Sequence, residues 1–371
     1  MTKACYVGVA GKARKVKKIY TGVANKARKV KKAYVGVGGK ARLFYSADQK
    51  LSYYGTVTGL SQARGMLAAT TVGNYGLFGG GSYSSGFSTV DAYNTSLVRS
   101  TPTALSQARG NLAATTVGNY GLFGGGSSSI LGSAFSTVDA YNTSLVRSTP
   151  TALSQTMSML AATTVGNYGL FGGSHYAGST TVNAYNTSLV RSTLTALSQA
   201  RTVLAATAVG NYGLFGGGGI ANGSAISTVD AYNTSLVRST PTALSQARGG
   251  LAATTVGNYG LFGGGSSLNT VDAYNTSLVR STPTTLSQAR GGLAATTVGN
   301  YGLFGGGATS NNSSLNTVDA YNTSLVRSTP TALSQARGNL AATTVGNYGL
   351  FGGGSFAFDS NFSTVDVYTV V

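Results

Sequence analysis

The tripeptide GNY starts at residues 73, 118, 166, 210, 257, 299 and 346 of this 371-residue chain, so one unit recurs seven times at intervals of 42 to 48 residues. A chain copied at that spacing cannot fold around one irregular core; each copy must be a small module that buries its faces against its neighbours. Two further landmarks keep the same rhythm. VDAY or a one-letter variant ends at Tyr93, Tyr141, Tyr185, Tyr232, Tyr274, Tyr321 and Tyr368, and LSQAR opens each unit except at 153–157, where LSQTM stands.

Each unit reads as four short β segments. In the second copy these are NLAATTV (strand a), YGLFGGG (b), STVDAYN (c) and LVRSTPTAL (d), with GN suited to a tight a–b hairpin and NTS to an Asx or ST turn between c and d. Abundant Gly, Ser, Thr, Val and Tyr with few charges fit an all-β chain. Four-stranded units of about this size, seven in number, predict a β-propeller. The last copy stops after strand c, while LSYYGTVTGLSQ before the first copy aligns with SLVRSTPTALSQ. Residues 51–60 are therefore expected to supply the missing strand and close the ring. Strand a, rich in small residues, belongs at the axis. Strand d belongs at the rim, where Pro102, Pro150, Pro241, Pro283 and Pro330 protect the edge.

The glycine run of YGLFGGG, the tyrosine ending VDAY and the arginine of LSQAR resemble the kelch type of propeller over residues 51–371, although the tryptophan usual in the fourth strand is missing because the chain has none.

Residues 1–50 differ in kind. They hold all eleven lysines, three arginines and one aspartate, about +13 of the formal +18. YVGVAGKARKVKK, YTGVANKARKVKK and YVGVGGKAR start at Tyr6, Tyr20 and Tyr34, and each reads as a hairpin turning at AG, AN or GG. Too small to hold a core alone, three such hairpins must stack on one another or on another chain. Lys12, Lys15, Lys17, Lys26, Lys29 and Lys31 are the candidate docking residues. The positive charge follows the β repeat, which argues for a docking surface over a nucleic-acid one. This leader resembles the lysine-rich GVGGKAR repeats that begin structural proteins of phages and prophages of Gram-positive bacteria. The resemblance implies an assembly module that anchors the propeller to other virion or particle proteins, as a homo-oligomer.

Within the propeller the copies can be compared with one another. VGNYG is identical in all seven and YNTSL in the six that have it, whereas the b–c segments differ in length and chemistry. A second variable pair follows the arginine position: Gly65 and Met66, Gly110 and Asn111, Ser158 and Met159, Thr202 and Val203, Gly249 and Gly250, Gly291 and Gly292, Gly338 and Asn339. Two strand reversals separate these sites, so both should emerge on one face around the channel mouth. The candidate ligand-binding residues there are Tyr83, Phe87, Ile130, Phe135, His175, Tyr176, Ile220, Asn222, Leu268, Asn311, Phe356 and Phe358. Arg64, Arg109, Arg201, Arg248, Arg290 and Arg337 form a candidate anion ring at the mouth, with bonding to backbone carbonyls between blades as the structural alternative.

Catalytic and cofactor chemistry finds no footing. The glycine runs lack the Lys-Ser/Thr and helix of a phosphate loop. His175 is the only histidine, which removes triads, multi-histidine metal sites and the copper centre of kelch-like oxidases. The strand-c aspartates, with Asn183 in one copy, repeat at blade period as structural residues do, and Cys5 is a lone free thiol. NTS matches a glycosylation sequon six times but reads as a turn. No export signal or long apolar span is evident, so the expected setting is a virion assembled in the host cytoplasm. The expectation is a non-enzymatic phage structural protein without cofactor, whose variable face meets a host-surface glycan or protein. An intracellular bacterial scaffold binding a protein partner is the alternative.

Overall fold

In the computed structural model, residues 50–82, 84–129, 132–174, 179–220, 223–356 and 360–371 are described in full, together with the backbone of six strands within residues 1–49. Every regular element among them is a β-strand. From Leu51 onward they form seven four-stranded antiparallel sheets, six running a-b-c-d in sequence order and the seventh taking its outer strand from the N-terminal end of the propeller. The second blade comprises Ala113–Val117, Tyr120–Gly124, Val138–Asn142 and Arg147–Ser148. Each strand a packs against the next, and the seventh returns to the first. The chain is a closed seven-bladed β-propeller.

Strand d is shorter than its sequence suggests. It spans two residues in five blades, and the prolines lie beyond it instead of on it. The third blade supplies the reason. There Leu194 stands where those five have proline, its N–H donates to the Val182 carbonyl at 2.9 Å, and the strand extends to Arg191–Thr193. Without that donor the chain leaves the sheet early and turns inward to the next blade.

Blades are locked by contacts that recur at every seam. The last glycine of strand b lies under the phenylalanine of the following blade: a Cβ on Gly79 would sit 2.6 Å from the Phe123 ring, and a Cβ on Gly352 2.7 Å from Phe78 across the closing seam. The same phenylalanine meets its own blade's strand-c tyrosine edge to face, as in Phe123 and Tyr141 at 5.9 Å. That tyrosine's hydroxyl then donates to the linker entering its blade: Tyr93 to the Thr58 carbonyl at 2.7 Å, Tyr141 to Thr103 at 2.7 Å, and so on round to Tyr368 and Thr331 at 2.6 Å. Burial pushes these phenols well above the usual tyrosine range.

The ring closes as its sequence ends imply. Leu51–Val57 pairs antiparallel with Val365–Val370 as the outer strand of the seventh blade, and the Lys50 and Val371 backbones exchange two hydrogen bonds of 3.0 Å. A register shift between Val367 and Tyr368 sets Tyr53 opposite Tyr368, the place that arginine takes in the other blades, and its hydroxyl donates to Asp366 at 2.6 Å. The a–b and c–d turns share one face: a Cβ on Gly73 would meet Thr143 of the next blade at 3.0 Å. Lys50 enters on that invariant face. Before it, Tyr6–Val9 pairs with Lys12–Lys15, Tyr20–Val23 with Lys26–Lys29, and Lys32–Val37 with Lys40–Ser46, three antiparallel hairpins.

Candidate functional site

At the opposite face, the residue two places before each strand a builds a collar around the channel mouth. The N–H of Asn111 donates to the Met66 carbonyl at 2.9 Å, Met159 to Asn111 at 2.9 Å, Val203 to Met159 at 3.0 Å, Gly250 to Val203 at 2.8 Å, Gly292 to Gly250 at 2.9 Å, Asn339 to Gly292 at 2.8 Å, and Met66 to Asn339 at 2.9 Å. Seven backbone bonds thus form one circle. The geometry demands a left-handed backbone, with φ from 46° at Val203 to 63° at Gly250. Five of the seven residues adopt it despite carrying a side chain, and for β-branched Val203 it is a strained conformation.

Inside the collar lies a cavity of about 220 Å³, floored by the leucines that follow it, Leu67 through Leu340. The b–c segments reach the same place. Ser82 bridges Gly65, Ser127 bridges Gly110, Gly219 bridges Thr202, Ala308 bridges Gly291 and Ser355 bridges Gly338. Both variable sites therefore gather round one mouth.

The residues singled out on these segments divide. Phe356 is 46% exposed, Asn311 is exposed and Ile220 half-buried. Phe87, Phe135 and Leu268 are half-buried posts instead of exposed tips. The Phe87 N–H donates to the Gly81 carbonyl and its own carbonyl accepts from Arg109 of the next blade at 3.0 Å; Phe135 and Leu268 repeat this with Met157 and Arg290. The signal was in the copies, because an apolar residue recurs just before the Ser/Asn-Thr-Val that opens strand c: Phe87, Phe135, Ile226, Leu268, Leu315 and Phe362. Tyr83, Ile130, His175, Tyr176, Asn222 and Phe358 lie outside the described residues, as do the side chains of the six candidate docking lysines.

The arginine ring is corrected. Arg64, Arg109, Arg201, Arg248, Arg290 and Arg337 do not line the mouth; all are buried within their blades. Each donates from Nη2 to the strand-c aspartate of its own blade, from 2.5 Å for Arg201 and Asp230 to 2.8 Å for Arg64 and Asp91, and to the carbonyl of the strand-b phenylalanine. Backbone carbonyls are thus bonded as the alternative expected, but within one blade instead of between blades. Asp91 also accepts from the N–H and hydroxyl of Ser61 and, at 3.4 Å, from Arg99 of strand d. Desolvation lowers each inner guanidinium's pKa and the facing carboxylate opposes the shift. Each Nε, and the Nη1 of Arg248, Arg290 and Arg337, has no partner in the protein, but at 0–1% exposure these guanidiniums are out of reach of a ligand at the mouth.

In the third blade Met157 and Asn183 replace both partners, and the amide nitrogen lies 3.6 Å from the thioether sulfur. Arg191 and the Ser154 N–H still bond the Asn183 oxygen. The charge pair is thus exchanged as a unit.

The invariant-face end of the channel carries threonines in a directed circuit. Thr116 donates to the Thr71 carbonyl at 2.6 Å and pairs with the Thr70 hydroxyl at 2.9 Å; the pattern repeats to Thr71, which bonds the Thr344 carbonyl at 2.6 Å. Ala208 is the single fault. The NTS asparagines make turns: Asn94 Oδ1 accepts from the N–H groups of Ser96 and Val98 at 2.9 and 3.0 Å. Among the described residues no group of three or more His, Cys, Asp or Glu could hold a metal ion, and no helix is long and apolar enough to cross a membrane.

No protein-family description and no curated protein matches the sequence. Among solved structures, that of YjhT is similar with a TM-score of 0.56, over 85% of this chain and 99% of its own, at 11% identity. At that identity the likeness concerns the propeller fold alone.

Proposed function

We propose that this protein is a non-enzymatic, kelch-like binding component of a phage-type particle, anchored through residues 1–50 and presenting the collar face to a ligand on the host surface. One observation carries the reading: the variation among seven otherwise matching copies collects on a single face, opposite the face at which Lys50 brings in the basic hairpins. A propeller suits such work because its bond circles hold the scaffold while the mouth changes. Many copies on one particle would let weak contacts add by avidity. The leader's charge and hairpin repeat support docking on an acidic particle surface.

Mass spectrometry of purified particles from the source organism should find the chain in the particle fraction. Its absence from every such fraction would overturn the particle assignment and leave an intracellular scaffold. Replacing the b–c segments with that of the fifth blade, SSLN, should preserve the fold, since Ser266–Asn269 already closes a blade, and abolish binding to host cells. Unchanged binding would refute the face assignment.

A further inference from the structure

We propose that the cup inside the collar takes an uncharged aliphatic side chain of an extended polypeptide, whose backbone leaves over the fifth blade. This rests on the collar face being the binding face. The floor consists of the leucines that open the seven inner strands, each 7% exposed and so touchable from outside. Met66 and Met159 stand on the rim, flexible thioethers that adapt to an apolar guest. No charged side chain lines the cup, so a charged group brought there would lose its water without compensation. A sugar would set its hydroxyls against the leucine floor, with the polar groups of the rim, among them the Asn111 and Asn339 amides, to meet only some of them.

The rim is lopsided. Gly250 and Gly292 are neighbours in it and are each preceded by another glycine, Gly249 and Gly291. A Cβ on Gly250 would meet only the Gly292 nitrogen, at 3.8 Å, so the rim is open there, whereas one on Gly292 would meet the movable end of the Asn339 side chain at 3.2 Å. The fifth blade also has the shortest b–c segment, leaving a low path from the mouth outward. Across the ring from this notch stands the second blade's Asn111, half-buried, with an Nδ2 that is buried and has no hydrogen-bond partner in the protein. Because that nitrogen holds no bond, a turn of the half-buried Asn111 side chain brings it without loss to the backbone carbonyl next to an inserted side chain. Leucine floor, glycine notch and facing amide together describe one aliphatic residue flanked by peptide groups.

The chain has four methionines, which makes the test site-resolved. With full-length protein carrying ¹³C-methyl methionine, N-acetyl-leucinamide should shift the Met66 and Met159 signals and leave buried Met157 and Met1 in place; N-acetylglycinamide should shift none. The double variant Gly250→Asn/Gly292→Asn fills the notch in a backbone conformation that Asn111 and Asn339 already carry, and should weaken the probe at least tenfold. Shifts from N-acetylglucosamine but not from N-acetyl-leucinamide would overturn the proposal in favour of a sugar subsite, and no shift from either would overturn it outright. Host-cell binding separates the two readings. Loss on segment replacement with retention in the double variant would remove the cup and keep the face, whereas probe binding without any host binding would do the reverse.

Discussion

A strand-c aspartate such as Asp91 is fully buried, and its charge is tolerable only because Arg64, Arg99 and Ser61 satisfy it. Removing one partner of such a pair leaves an unpaired buried charge, a loss of about 3–5 kcal/mol, whereas exchanging both for uncharged groups can be nearly neutral. The third blade already made that exchange. Arg64→Met or Asp91→Asn alone should therefore lower stability to denaturant by about 3 kcal/mol. The double variant, which copies Met157 and Asn183, should recover most of it; additive losses would show that the pair is not coupled. The pairing was legible in outline, since Met157 and Asn183 are the only departures at their two positions and fall in one copy. What one chain of letters does not state is that the two positions touch.

At the scale of the element, strand a decides how the axis is lined. Thr116 uses its only hydroxyl hydrogen on the Thr71 carbonyl, so Thr70 must donate to it, and each seam is tied by a side chain to both a backbone and a side-chain partner. Ala208 breaks this at one seam, where Thr163 and the Thr164 carbonyl lack the bonds their counterparts make. Ala208→Thr should restore both and raise stability by about 1 kcal/mol, read as a higher denaturant midpoint. No gain would mean that the third and fourth blades stand too far apart at that point. The glycines of strand b follow the same logic across seams. Their presence in the sequence was plain, but the reason for Gly79 is the Phe123 ring 45 residues or so further on, a contact set only by the docking of blades.

For the whole molecule, closure is the decisive step. Removing Leu51–Val57 would leave Val365–Val370 an open edge and take Tyr53 from Asp366. Such a truncation should lower the unfolding midpoint by more than any single substitution, over about 4 kcal/mol. The cut should stop at Val57, because the Thr58 carbonyl receives the Tyr93 hydroxyl and Leu60 belongs to the core. The tyrosines also give the ring a response to alkali. Burial and the neighbouring Asp366 push Tyr53 from 10.0 up to about 12, and burial carries the strand-c phenols higher still. Below pH 10 they are protonated in both folded and unfolded chains and their stabilisation is complete. As pH rises beyond 10 the unfolded chain releases protons that the folded one holds, and the Tyr53 contribution is gone once pH passes about 12. Denaturant midpoints should be level from about pH 7 to 9 and fall steeply above about 10, less steeply in Tyr53→Phe; a midpoint unchanged through pH 11 would show that the phenols are not held in place.

By itself the sequence determined the blade count, the strand order, the closing strand and the face on which variation lies, because these follow from periodicity and from turns whose chemistry is local. Only the tertiary structure decided that the arginines are internal ion pairs, that Phe87 and Phe135 are posts between blades, and that Met66, Asn111 and their counterparts form a hydrogen-bonded collar. Those facts depend on which residues of one copy meet which residues of the next, and a repeat read along the chain carries no measure of that distance.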